Sequence, residues 1–153
     1  MASWLLKSEP GSFSIDDLKK SKTTIWDGVR NYQARNHLLA ASVGDLAFFY
    51  HSNANPPGIA GLAKVVATNV VDPTQFDRES HYFDPKSTAD NPRWHTVKVA
   101  FVDKFRNFLS LDELRERFSG DDLIIVRKGT RLSVTPVGDE TAAAILEMAR
   151  TKR

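Results

Sequence analysis

The 153-residue chain contains no cysteine. This absence excludes a disulfide scaffold, a Cys-ligated zinc or iron–sulfur centre, and a cysteine nucleophile. It also fits a cytoplasmic protein, or a nuclear one in a eukaryote, more easily than a small secreted one. Mean composition is that of a globular protein, since 41% of the residues are hydrophobic and 26% are charged.

Other features that the sequence lacks narrow the class further. No apolar run approaches the length of a membrane span, so we expect no membrane partner. The first residues carry no charged region followed by a long apolar stretch, which predicts that no signal peptide is present. The absence of repeats, linkers and low-complexity segments predicts a single domain over residues 1–153. The net charge of +2 permits a nucleic-acid partner without requiring one.

Motifs for cofactors, metals and common hydrolases are also missing. There is no phosphate-binding loop, no dinucleotide fingerprint and no Gly-x-Ser-x-Gly elbow, so we expect no cofactor. The four histidines, at positions 37, 51, 81 and 95, form no short ligand pair, which predicts that no metal is bound. His51 and Ser52 are adjacent in a predicted strand, where their side chains point to opposite faces, so they are not expected to act as a nucleophile and base.

The hydrophobic pattern indicates interspersed strands and short helices. Apolar and β-favouring runs predict strands over residues 3–7, 23–26, 46–51, 59–71, 94–108, 123–126 and 132–137. Capping patterns at Ser14 and Ser110, and helical periods over 31–41 and from about 140, predict four helices. Residues 72–93 are irregular, and so long a loop is often functional. Because full crossover helices do not regularly separate the strands, the pattern favours an α+β fold with a mainly antiparallel, curled sheet.

Residues 26–36 are the most unusual segment, because they combine aromatic, guanidinium and amide groups around one glycine. Aromatic rings stack on nucleobases, amides and carboxylates hydrogen-bond to base edges, and arginine binds phosphate. The alternative is a helix N-terminus with a packed tryptophan and a solvated polar face, which composition alone favours. Lys7, Ser8 and Glu9 form a second candidate, since a strand that ends in polar groups can direct them into a pocket. Here the alternative is an exposed strand end.

Five segments together resemble the EVE family, and they occur in the order typical of that family. They are residues 4–10, 26–34, 44–45 together with 49–52, 58–61 and 131–134. The resemblance implies a PUA-like fold, a small curled β-barrel flanked by short helices. The EVE family is similar to YTH domains, which hold a methylated RNA base in an aromatic cage. The resemblance therefore implies that the chain is a non-catalytic reader of a modified base in DNA or RNA. The base is expected to lie in a single strand or to be flipped out of a duplex.

The resemblance also implies roles for individual residues. By analogy with YTH domains, Lys7, Ser8 and Glu9 and the pair Trp26 and Asp27 match positions that contact the base. In the resulting hypothesis the base stacks on Trp26, and Trp94 or Tyr32 is the second wall of the pocket. Polar contacts to the base come from Ser8, Glu9, Asp27 and Asn31, and Ser52 lies at the pocket floor. The phosphate contacts come from Lys7, Arg30, Arg35 and Arg131.

Two other functions stay open at this point. In the first, the chain is an enzyme that acts on a nucleotide or modified base, with Glu9 or Asp27 as general base. In the second, it provides a pocket for a small metabolite or a protein partner. Turnover that disappears in Glu9→Gln would favour the enzyme, and a lack of salt-dependent affinity for oligonucleotides would favour the metabolite or partner pocket.

Overall fold

A computed structural model describes residues 1–153, and its backbone is built on six strands. The strands are β1 (Ser3–Ser8), β2 (Thr23–Ile25), β3 (Leu46–His51), β4 (Gly58–Val71), β5 (His95–Ser110) and β6 (Val134–Val137). The helices are α1 (Ile15–Ser21), α2 (Tyr32–Ala40), α3 (Leu111–Arg117) and α4 (Asp139–Arg150). This arrangement confirms the predicted α+β class. None of the helices has the length and hydropathy that crossing a bilayer requires.

The strands form one sheet in the order β2-β5-β4-β3-β1-β6. Four of the neighbouring pairs are antiparallel, whereas β1 and β3 are parallel, with Ser8 opposite His51. Register shifts within the β3–β4 and β4–β5 pairs bend the sheet. The expected curled barrel is nevertheless not closed, because β2 and β6 are edge strands that do not pair with each other. The sheet is therefore mixed and open.

Apolar side chains cover both faces of this sheet. Alternate residues of β1 and β3 point to opposite sides, so Leu6 and Phe49 belong to one apolar cluster and Leu5 and Phe48 to the other. The first cluster includes residues of α1 and α2, and the second includes residues of α3 and α4. The helices therefore cover the sheet from two sides.

The helix signals in the sequence are largely confirmed. Ser14 forms a reciprocal capping box with Asp17 at the start of α1, and Ser110 accepts a hydrogen bond from the backbone of Glu113 at the start of α3. One predicted strand is wrong, because Ile124–Val126 is a short 3-10 helix. A short buried apolar run does not by itself distinguish a strand from a helical turn.

The predicted irregular region between β4 and β5 is held by buried polar groups. It contains one 3-10 turn, Pro73–Phe76. The fully buried amide of Gln75 donates to the carbonyls of Asp72 and Trp94 and accepts from the backbone N–H groups of Arg93 and Trp94. These bonds satisfy the loop backbone inside the protein, and they place Tyr82 beside the segment that follows β2.

Candidate functional site

A cleft of about 700 Å³ opens at the edge of the sheet where β1 and β3 end. Because β1 and β3 are parallel, their carboxyl ends meet at one edge, and the N–H of Ser52 donates to the carbonyl of Ser8 at 2.9 Å. The segment after β2 and the loop between β4 and β5 supply the other walls. The lining consists of residues 7–9, 12, 13, 24–30, 52, 81, 82 and 133.

Seven residues predicted from the sequence lie in this cleft. They are Lys7, Ser8, Glu9, Trp26, Asp27, Arg30 and Ser52. They come from three separate parts of the chain, and the sheet brings them together. The polar strand end and the segment after β2 therefore form one site, although the sequence showed them only as separate candidates.

Both acidic residues of the cleft lack an ionic partner. Glu9 and Asp27 take part in none of the ion pairs of the chain. Burial raises the pKa of the Asp27 carboxyl, and the neighbouring Asp72 carboxylate raises it further, while Arg30 partly opposes these effects. Carboxylates in this setting are hydrogen-bond acceptors available to a ligand.

The other polar groups of the cleft are tied more closely to the protein. Lys7 donates through Nζ to the carbonyl of Thr130 at 3.2 Å, and burial lowers the pKa of its amine. Ser8 donates through Oγ to the carbonyl of Phe13 at 2.5 Å. Lys7 nevertheless remains a partly exposed cation in the cleft wall, since only one of its three ammonium hydrogens has this partner.

Trp26 is a cleft wall that also belongs to the apolar core. Its side chain is 7% exposed, and its ring meets Phe49 edge-on at a centroid distance of 5.3 Å. Its carbonyl accepts a hydrogen bond from the hydroxyl of Thr96. The packed-tryptophan alternative is thus correct for most of the indole, and only a small part of it faces the cleft.

Arg30 does not present a free donor to a phosphate, contrary to the prediction. Its N–H groups donate to the carboxylate of Asp72 at 3.0 Å, to the hydroxyl of Thr74, and to the carbonyls of Tyr82 and Val29. These bonds use all five guanidinium donors. Arg30 is therefore a structural residue that attaches the β4–β5 loop to the segment after β2.

Three more predicted residues lie outside the cleft. Asn31 caps α2, where its side-chain oxygen accepts from the N–H of Ala34 at 3.0 Å. Trp94 is buried, and its ring stacks on Tyr32 at 4.9 Å with an interplanar angle of 17°. The two rings thus stack on each other outside the cleft. The expectation that one of them forms the second wall of the cleft is wrong.

The remaining phosphate candidates differ in their surroundings. Arg35 donates through Nη1 to the carbonyl of Arg93 at 3.0 Å and lies 4.7 Å from the centre of the Tyr32 ring, so it is not in the cleft. Arg131 is exposed and forms no ion pair. It lies between Thr130, which binds Lys7, and Ser133, which lines the cleft. Arg131 therefore remains a candidate at the rim.

Tyr82 is the main cleft residue that the sequence did not identify. Gly28 has a φ of +82°, and a Cβ at this position would lie 2.6 Å from the Tyr82 ring. Only glycine allows this close approach, so the ring rests directly on the backbone of the cleft wall. The length of the loop and its aromatic residues were the available signals, but neither indicated which aromatic residue reaches the cleft.

The side chains form no metal-binding cluster, and His51 is engaged in a contact with the backbone. No three His, Asp or Glu side chains come together as a potential metal-ligand group. Nε2 of His51 accepts the N–H of Ile15 at 3.1 Å, and burial lowers the pKa of this imidazole. His51 therefore supports the start of α1.

Comparison with known proteins agrees with the sequence resemblance. The EVE domain family model matches residues 2–148. Human thymocyte nuclear protein 1 is 44% identical over 163 aligned positions, which cover 95% of this chain and 72% of that protein. The crystal structure of human THYN1 protein in complex with 5-methylcytosine containing DNA is 39% identical, covers all of both chains and superposes with a TM-score of 0.91.

A more distant likeness concerns the fold alone. The YTH domain of the Zygosaccharomyces rouxii MRB1 protein, solved in complex with N6-methyladenosine RNA, has a TM-score of 0.56 and 12% identity, and it covers 99% of this chain. The expected PUA-like, YTH-related fold is thus confirmed. The chain is a member of the EVE domain family.

Proposed function

We propose that this chain binds a methylated base of a nucleic acid in the cleft, without catalytic turnover, and that 5-methylcytosine in DNA is its first candidate ligand. The observation that carries the proposal is the cleft itself, where two unpaired carboxylates lie beside an indole wall. The human relative solved with 5-methylcytosine containing DNA supports both the class of partner and the modification. The base enters from a single strand or is flipped out of a duplex.

Asp27 and Glu9 are the residues best suited to read the polar edge of a cytosine. Cytosine presents its exocyclic amino group as a donor, and carboxylates are its usual protein acceptors. Asp27 adjoins the Trp26 wall, so a base packed against that wall has an acceptor beside it. Ser52 and Ser133 also line the cleft, and their hydroxyl groups add hydrogen-bond donors and acceptors.

Recognition of the methyl group is expected to be modest unless the cleft closes tightly around it. Burial of one methyl group contributes about 0.8 kcal/mol, which is about a fourfold preference over the unmethylated base. Phosphate contacts add affinity that does not depend on the methyl group. We assign these contacts to Lys7, which lines the cleft, and to Arg131, an exposed cation two residues before the cleft residue Ser133.

The test is a binding titration at constant salt with DNA and RNA oligonucleotides that carry cytosine or 5-methylcytosine, or adenine or N6-methyladenine, at one position. Wild-type protein should prefer a methylated oligonucleotide by about fourfold when the methyl group is buried. Asp27→Ala should weaken binding of that oligonucleotide about 10- to 100-fold, since a hydrogen bond to a charged group is lost. Equal affinity for methylated and unmethylated oligonucleotides would contradict the proposal.

The matched control removes the same charge from the other side of the sheet. Asp112 is exposed in the first turn of α3, which packs against the second apolar cluster. Asp112→Ala should leave binding unchanged or strengthen it slightly, because the protein becomes more positive. If Asp27→Ala behaves like Asp112→Ala, its carboxylate does not contact the base.

A further inference from the structure

Tyr32 and Trp94 form an aromatic surface beside the cleft, which we call the platform. Their rings are nearly parallel, with centroids 4.9 Å apart. Trp94 is 6% exposed, whereas Tyr32 remains 51% exposed even though it stacks on Trp94. Tyr32 is therefore the ring of this pair that a ligand can reach.

Neighbouring groups hold the platform in place. The indole N–H of Trp94 donates to the carboxylate of Asp84 at 2.7 Å, and the hydroxyl of Tyr32 accepts from Nη1 of Arg93 at 3.4 Å. Tyr32 is also the first residue of α2. Because its surroundings already order the ring, a ligand that stacks on it loses little conformational entropy.

The charge around the platform suits an anionic ligand. The Arg35 guanidinium lies 4.7 Å from the centre of the Tyr32 ring, and Arg93 contacts the hydroxyl of the same tyrosine. Neither arginine takes part in an ion pair. An exposed aromatic ring beside two guanidinium groups that form no ion pair matches a nucleotide, whose base stacks and whose phosphate is an anion.

The platform is continuous with the cleft through Arg30. This residue lines the cleft, and its guanidinium carbon lies 5.1 Å from the centre of the Trp94 ring. A strand that places one base in the cleft therefore passes close to Tyr32 with its neighbouring nucleotide. This continuity favours a nucleic acid over a protein as the occupant.

We propose that the platform is a second subsite, in which the base next to the one in the cleft stacks on Tyr32 while Arg93 and Arg35 face its phosphate. This inference rests on the proposed function, because the cleft supplies the first base. It predicts that affinity depends on a flanking base whose identity matters little, since every base has an aromatic face.

The experiment compares three ligands at constant salt: a single-stranded DNA oligonucleotide with one 5-methylcytosine, the same oligonucleotide with abasic sites on both sides of it, and free 5-methyl-2′-deoxycytidine. Tyr32→Ala should lower the affinity for the first ligand about 5- to 150-fold. It should not weaken the abasic ligand or the nucleoside, because neither has a flanking base. Tyr32→Phe should keep the wild-type affinities, since it retains the ring.

The control is Gln33→Ala, which changes the next exposed residue of α2. If Tyr32→Ala has no larger effect on the first ligand than Gln33→Ala, the subsite does not exist and a protein becomes the better candidate for the platform. If Tyr32→Ala weakens the nucleoside equally, Tyr32 acts through the cleft, which also overturns the proposal. Equal wild-type affinity for methylated and unmethylated oligonucleotides would instead contradict the proposed function, and the comparison of flanking bases would still decide the subsite.

Discussion

Nη1 of Arg30 lies 3.0 Å from Oδ2 of Asp72, although the two residues are 42 positions apart. Burial by itself would raise the pKa of Asp72, but hydrogen bonds from Thr74, Gly28 and Arg30 outweigh it and hold the pKa below its ordinary value. This ion pair joins the segment after β2 to the β4–β5 loop. This ion pair is therefore one of several bonds that hold two walls of the cleft together.

Removal of the arginine should destabilise the fold more than it changes the salt dependence of binding. Arg30→Ala leaves the Asp72 carboxylate buried without its cation, which costs about 3–5 kcal/mol. Urea unfolding measures this loss. The variant should keep the wild-type slope of affinity against salt, because Arg30 has no donor free for a phosphate. A shallower slope would show that Arg30 contacts the nucleic acid after all.

Arg131→Ala should change the salt dependence of binding and leave the stability of the fold unchanged, which is the opposite of Arg30→Ala. Loss of one phosphate contact reduces the slope of log K against log salt by about 0.7–0.9, with no loss of stability expected for an exposed residue. Lys152→Ala is the charge-matched control, because Lys152 is exposed beyond α4, away from the cleft. Equal slopes for the two variants would remove Arg131 from the phosphate contacts.

Gly28→Ala should disturb the cleft through Tyr82. A methyl group there would be 2.6 Å from the ring and would also face the strain of a positive φ, about 1–2 kcal/mol. Gly44→Ala is the matched control, since Gly44 has a φ of +95° and nothing within 4 Å of the added atom. Thermal unfolding should show the larger loss for Gly28→Ala, and only this variant should weaken binding. Equal effects on both measurements would mean that Tyr82 simply moves aside.

Trp26→Ala should unfold the chain more readily, by about 3–5 kcal/mol, because most of the indole is core. The sharper probe of recognition is Trp26→Phe, which keeps an aromatic ring against Phe49 but changes the cleft wall. We expect it to remain folded and to lose the preference for the methylated base in the oligonucleotide titration. Retention of the full preference would exclude Trp26 as the wall that recognises the base.

His51 predicts a loss of stability in mild acid. Burial lowers its pKa from the model-compound value of 6.5, so the native state favours the neutral ring that accepts the N–H of Ile15. The unfolded chain then binds more protons, and stability falls as pH decreases through 6.5 towards the lower folded-state value. His51→Gln keeps an acceptor that does not titrate. The free energy of unfolding should therefore depend less on pH, between 7 and 5, in the variant than in the wild type. Identical pH profiles would contradict this role.

The local order of the chain was accessible from the sequence alone. Apolar runs predicted β1, β3 and β4, alternation predicted β5, and the serine caps predicted α1 and α3, because these signals depend on neighbours a few positions away. The pairing of Lys7–Glu9 with the Trp26 segment was not accessible by spacing and was expected only from the EVE resemblance. The strand predicted over 123–126 was wrong because the helical turn found there depends on long-range packing in the core, which local sequence does not show.

Only the tertiary structure decided which of the candidate residues line the cleft and which lie outside it. Trp26, Asp27 and Arg30 line the cleft. Asn31, which caps α2, and Tyr32 and Arg35, which belong to this helix, lie outside the cleft. The β4–β5 loop brings Tyr82 onto Gly28 and accepts four of the five hydrogen bonds that Arg30 donates, through contacts between residues more than 40 positions apart. The sequence thus determined which groups are available, and long-range packing and hydrogen bonding decided which of them remain free to bind.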